Sequence, residues 1–375
     1  MGIPISIDPS WLIIFGVLTY LLATRVFPYE LRYGFRHGPG LLPLGLAVVT
    51  SLLLFASVLA HELSHAWMAV RRGIPVLGIT LFIFGGVAQI GDEADRPLTE
   101  FLVAVMGPLM SLALALMFGA VWVWSMALMS LTRGAFLILL PLAVAGSYLA
   151  GSNLILVLFN LLPGVPLDGG RVLRAILWSA TGNLRRATHI AALIGRGIAV
   201  LLALFGVWTV VRIGFDGVWT VLIAIFLWQA AGEAYRSVLL REALDKVSIS
   251  SLMRLPSGNV PGDLSVLSFV EHYLLPARGA VFAIEENGRR VGLIGGSQVR
   301  DIPRDKWAEF HVRDKMLLAS PVYSMSPDES ALRALLRLSR PDAADLAELP
   351  VVSEGHLVGV VGNDEIAHYL QERAI

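Results

Sequence analysis

Cysteine is absent from this 375-residue sequence. Disulfides and thiolate-held metals are therefore excluded, and any resident ion must use nitrogen and oxygen ligands. Lysine is nearly absent too, occurring only as Lys246, Lys306 and Lys315. Charged residues make up 15% of the chain, where a soluble domain carries about 25%. The formal net charge is zero, so no electrostatic footprint for nucleic acid exists. The opening Met1-Gly-Ile-Pro-Ile-Ser lacks the basic flank of a signal peptide.

The chain is instead rich in apolar residues: 56% are hydrophobic, and the mean hydropathy is +0.70. The long apolar runs lie before about Arg241, and the charges crowd into the C-terminal remainder. That asymmetry predicts a membrane half and a soluble half. A helix needs about 20 apolar residues to cross a bilayer core. Six stretches qualify: Trp11–Phe27, Leu41–Val70, Phe101–Leu131, Ala135–Leu162, His189–Val211 and Val218–Leu240.

Basic residues between spans set orientation. With the N-terminus inside, nine arginines face the cytoplasm: Arg71, Arg72, Arg96, Arg171, Arg174, Arg185, Arg186, Arg236 and Arg241. Five lie outside: Arg25, Arg32, Arg36, Arg133 and Arg212. This topology puts the C-terminal half in the cytoplasm. Between the second and third spans, Gly78–Gly91 reads as two short strands around Gly85-Gly86, since paired glycines accept a hairpin's positive φ. The segment is too short to span and belongs at the membrane edge or in a protein-lined cavity.

From Lys246 short helices and strands alternate. Val247–Met253 resembles Val312–Leu318, and Val291–Gly296 resembles Val358–Asn363. Near-equal offsets predict one duplicated β-β-α unit.

His61-Glu62-Leu63-Ser64-His65 carries the chemistry. Helical residues four apart share a face, so both imidazoles can meet one ion, with Glu62 beside them to take a proton from metal-bound water. The motif sits inside an apolar span, where an idle ionisable group costs at least about 2.5 kcal/mol. Two histidines leave a catalytic zinc site one protein ligand short. Asp168 is the leading candidate, because the prolines and glycines of Asn160–Arg171 break a helix at the end of a span. His189, Asp92 and Glu93 are rivals for that position.

These residues make the chain similar to the site-2 protease family of intramembrane zinc metalloproteases. The branch it resembles carries a C-terminal tandem CBS pair. The likeness rests on Gly2-Ile-Pro-Ile, Pro9-Ser-Trp, His61–His65, Gly85-Gly86, Gly107-Pro108 and Asn160…Leu167-Asp168-Gly169. It implies one zinc per chain held by His61, His65 and Asp168, with Glu62 as general base. It implies Asn160 at the substrate carbonyl or oxyanion, and Gly85 and Gly86 beside an unwound substrate strand. The implied substrates are single-span or tethered membrane proteins.

The implied fold is a polytopic α-helical membrane domain over 1–243 with about six transmembrane helices and a membrane-edge β-hairpin. A cytoplasmic α/β tandem CBS domain occupies 246–375, with repeats near 247–305 and 310–373. CBS pairs commonly bind adenine nucleotide, but Gly292…Gly295…Gln298 and Gly359…Gly362…Glu365 depart from the usual binding pattern. Nucleotide regulation, partner docking and homodimerisation all remain open for that unit. The expected location is the plasma membrane of a prokaryote. Two rival functions are a CBS-regulated transporter or channel and a catalytically silent membrane scaffold. The first would need two related halves with paired broken helices, and the second would leave Glu62 idle.

Overall fold

In hydrocarbon a backbone N–H or C=O finds no water, so each apolar run must close its own hydrogen-bond ladder as a helix. The computed structural model describes residues 2–31, 41–90, 94–132, 135–214, 216–277, 280–286, 288–300, 302–318, 324–339 and 348–372. They divide into two units, Met1–Arg236 and Ser237–Ile375.

The first unit opens with β1 (Ile5–Ile7) and α1 (Ser10–Leu21), which a π-helical turn at Leu22–Val26 joins to α2 (Phe27–Leu31). Next come α3 (Leu42–Arg71), β2 (Val76–Phe82), β3 (Gly85–Ile90), α4 (Pro97–Leu131) and α5 (Phe136–Asn160). The unit ends with α6 (Asp168–Thr181), α7 (Leu184–Ile213) and α8 (Asp216–Asp245), whose last residues belong to the second unit. Among the described residues, six helices are long and apolar enough to cross a membrane: Ser10–Leu31, α3, α4, α5, α7 and Gly217–Asp245 of α8. Large apolar side chains on them stay exposed, Ile138 at 75% and Val211 at 77%. Water would not tolerate that surface, and lipid does.

Three strands pair in the order β1-β2-β3, with β1 parallel and β3 antiparallel to β2. The predicted hairpin is therefore there, but its turn is Ile83-Phe84, and Gly85-Gly86 opens β3 instead. Only glycine sits comfortably at the φ of +132° that Gly85 adopts.

The second unit pairs β4 (Asn259–Pro261), β5 (Phe282–Glu286), β6 (Arg289–Ile294) and β7 (Leu317–Leu318) in that order. A separate hairpin joins β8 (Glu348–Ser353) and β9 (His356–Gly362). Its helices are α9 (Val266–Phe269), α10 (Gly296–Arg300), α11 (Ala331–Leu338) and α12 (Asn363–Glu372). The leading segment of each repeat packs on the other repeat. Ile249 shares a core with Val351, Val361 and Ile366, while Val312 shares one with Val260, Ile284 and Ile294. Gly359 makes room for the Met253 side chain as Gly292 does for Met316. This exchange is the physical meaning of the repeat seen in the sequence.

Candidate metal centre

His61 and His65 project from one face of α3, 3% and 4% exposed. Their Nε2 atoms lie 3.2 Å apart. Asp168, the first residue of α6, brings Oδ2 to 3.1 Å from His61 Nε2 and 3.2 Å from His65 Nε2. Ligands on a tetrahedral zinc, with bonds of about 2.0–2.1 Å to nitrogen and oxygen, sit about 3.3 Å apart. The triangle fits that ion and leaves one coordination position for water. Among the described residues this is the one group of three histidine or carboxylate side chains close enough to share an ion.

The donors are oriented from behind by α4. His65 Nδ1 lies 2.7 Å from the carbonyl oxygen of Val103. A carbonyl only accepts, so the ring proton sits on Nδ1 and the Nε2 lone pair faces the triangle. His61 Nδ1 lies 2.9 Å from Ser111 Oγ. Both imidazoles rest over Gly107, where a Cβ would overlap His65 Nε2 and fall 2.5 Å from His61 Nε2.

Asp168 is placed by the broken segment that precedes it. After α5 ends at Asn160, Pro163 and Pro166 prevent the helix from continuing. A side chain at Gly170 would overlap the backbone of Gly164 and Val165, so the turn folds tightly onto the start of α6. The carboxylate then sits at a helix N-terminus, where the positive end of the dipole favours it.

All seven residues singled out in the sequence line one cavity of about 490 Å³: His61, Glu62, His65, Gly85, Gly86, Asn160 and Asp168. Glu62 packs against the hairpin, since a Cβ on Gly86 would lie 2.6 Å from Glu62 Cγ. The hairpin turn also lines the cavity through Phe84, which stacks on Phe226 at 4.9 Å and on Trp219 at 5.6 Å. The rival ligand His189 stands apart, its ring 4.9 Å from that of Tyr235. Asp92 and Glu93 lie outside the described residues. Sequence reasoning missed the orienting groups Val103 and Ser111, and it used Arg171, also on the cavity wall, only for topology. Ser111 had a signal, standing four residues after Gly107 on the same helical face.

Spanning helices around a buried His-His-carboxylate triangle define a multi-pass membrane metalloenzyme. The profile of Peptidase family M50 matches residues 49–138 and 141–204. A Synechocystis sp. protein named as a zinc metalloprotease is 33% identical over 100% of this chain and 94% of its own. Rip3 of Mycobacterium tuberculosis, also named as a zinc metalloprotease, is 34% identical over 98% of this chain and 91% of its own. The solved site-2 protease from Methanocaldococcus jannaschii is 26% identical, with a TM-score of 0.41 over 63% of this chain and 92% of its own. The chain belongs to peptidase family M50, the site-2 protease family of zinc metalloproteases.

Proposed function

We propose that this chain hydrolyses peptide bonds within or beside a transmembrane segment of membrane-tethered proteins, acting in regulated intramembrane proteolysis. The observation that carries this reading is the gathering of Glu62, His61, His65 and Asp168 on one cavity, with His61, Glu62 and His65 inside a spanning helix. His61, His65 and Asp168 would hold zinc, which when bound would supply an acidified water and a Lewis acid for the peptide carbonyl. Glu62 takes the water's proton and returns it to the leaving amine. The side-chain amide of Asn160 donates to the carbonyl oxygen as negative charge develops there. β3 is the end strand in the order β1-β2-β3, and an extended substrate segment adds to it, where Gly85 and Gly86 permit close backbone approach. A helical substrate must unwind first, because its peptide bonds are shielded.

The test is Glu62→Gln, with cleavage of a co-expressed membrane-tethered substrate as readout. Zinc and fold should persist while cleavage falls by about 10²–10⁴. Wild-type cleavage by this variant would reject Glu62 as the base.

We further propose a catalytic domain over 1–243 and a regulatory domain over 246–375, in the plasma membrane of a prokaryote. The arginine distribution supports an N-terminus and regulatory domain in the cytoplasm. For the regulatory domain we favour docking of protein, including a second copy, over adenine nucleotide. Glu365, at the position where CBS repeats hold the ribose, already accepts from Arg254 Nε at 2.6 Å and from the Gly362 N–H at 2.8 Å. Gln298, its counterpart in the first repeat, accepts from the Gly295 N–H at 2.9 Å. Calorimetry of the full chain with ATP should show no binding heat, and saturable heat would reverse this choice.

A further inference from the structure

Apart from Asp168, Glu100 is the one acidic residue in the buried polar core of the membrane unit, 2% exposed among the described residues. It stands in the first turn of α4. Its Oε1 accepts from Arg174 Nε at 2.6 Å and also from Arg174 Nη2. Two guanidinium N–H groups on one carboxylate oxygen fix direction as well as distance, which an ammonium could not do.

The helices that the pair joins give it meaning. Positions 100, 103, 107 and 111 of α4 recur at three- and four-residue steps and form one stripe. That stripe holds Glu100, then Val103 whose carbonyl takes His65, then Gly107 beneath both imidazoles, then Ser111 beside His61. Arg174 belongs to α6, the helix that Asp168 begins. The Glu100–Arg174 pair thus ties the helix that orients both imidazoles to the helix that supplies the carboxylate. A buried ion pair is a poor source of stability compared with well-packed apolar side chains. One retained about a single helical turn from a ligand-orienting carbonyl is better explained by geometry.

We propose that Glu100 and Arg174 are positioning residues whose ion pair sets the approach of α6 to α4, so that Asp168 Oδ2 meets both Nε2 atoms at metal-binding distance. This rests on His61, His65 and Asp168 holding zinc.

The experiment uses full-length protein in detergent, stripped of metal and titrated with zinc against a chromogenic chelator. Thermal unfolding of the metal-free form is recorded in parallel. Arg174→Lys keeps the charge and loses the fork, and Glu100→Gln keeps the shape and loses the charge. Each should weaken zinc affinity by about tenfold or more, as loss of an outer-shell partner does, with little change in metal-free unfolding. The exchange Glu100→Arg with Arg174→Glu should recover most of that affinity. Wild-type affinity in both single variants would overturn the proposal. So would an affinity loss matched by equal loss of metal-free stability and not recovered by the exchange. Wild-type protein that bound no zinc, or His65→Ala that still bound it, would instead sink the metal site itself, and this inference with it.

Discussion

The ring of His65 is tethered to the peptide carbonyl of Val103, 2.7 Å from its Nδ1. The tautomer of this imidazole is therefore fixed by main chain, through a carbonyl that replacing the Val103 side chain does not remove. His65→Ala deletes the ligand and the tether together. Metal analysis should find about one zinc per wild-type chain and a small fraction of that in the variant.

Gly107 offers a finer probe. A methyl there overlaps His65 Nε2 and crowds His61 Nε2, whereas a methyl on Gly119 of the same helix would lie 3.9 Å from Ala150 Cβ, an ordinary contact. Gly107→Ala should cost about 1–3 kcal/mol as overpacking and abolish zinc binding. Gly119→Ala should bind zinc as wild type does. Equal zinc content in the two variants would refute the close approach.

Gly86→Ala should separate binding from turnover. The added methyl meets Glu62 Cγ at 2.6 Å, and its three nearest atoms belong to Glu62 and Leu81 rather than to His61, His65 or Asp168. Zinc content should hold while substrate cleavage drops by about tenfold or more, the scale of a misplaced general base. A parallel loss of zinc would show that the hairpin shapes the metal triangle too.

In the second unit, Arg254 Nη2 bonds Glu348 Oε1 at 2.5 Å while its Nε holds Glu365. Burial pushes the Glu348 carboxyl above the ordinary glutamate range, with Arg254 pulling the other way and Glu365 adding to the rise. The folded unit then binds this proton more tightly than the unfolded chain. Stability from that source is complete below the unfolded pKa of about 4.3 and declines as pH rises through the folded value. Amide exchange at Val360, whose N–H bonds the Arg254 carbonyl at 2.9 Å, should therefore quicken as pH climbs through that window, after correction for intrinsic exchange. Glu348→Gln should flatten the dependence.

The spans were legible because hydrocarbon leaves an apolar run little choice but helix. Their ends were less so. The fifth was expected to begin at His189, yet α7 starts at Leu184, because the Asn183 side chain caps it through the Arg186 N–H at 2.9 Å. The arginine-bearing residues before His189 form the first turn of that helix. β1 went unseen for a different reason. Its three residues gain meaning only by pairing with Ile79, Thr80 and Leu81 far along the chain.

At the site, His61 and His65 were readable from local spacing, which helix geometry converts into proximity. Asp168 had no such link, and the rivals stayed open until the family resemblance favoured it. Val103 was invisible in principle, since it acts through a carbonyl that every residue possesses. Gly107 was noticed only as part of a resemblance, while its physical task is to be flat beneath two rings.

The separation of 107 positions between His61 and Asp168 also sets an order of events in biosynthesis. A ribosome adding about 5–20 residues per second needs roughly 5–20 s to travel that far. During that interval the nascent chain has His61, Glu62 and His65 but not yet Asp168. On the proposed assignment of Asp168 as the third ligand, the zinc site is completed only after the fourth span has been made and α6 follows it.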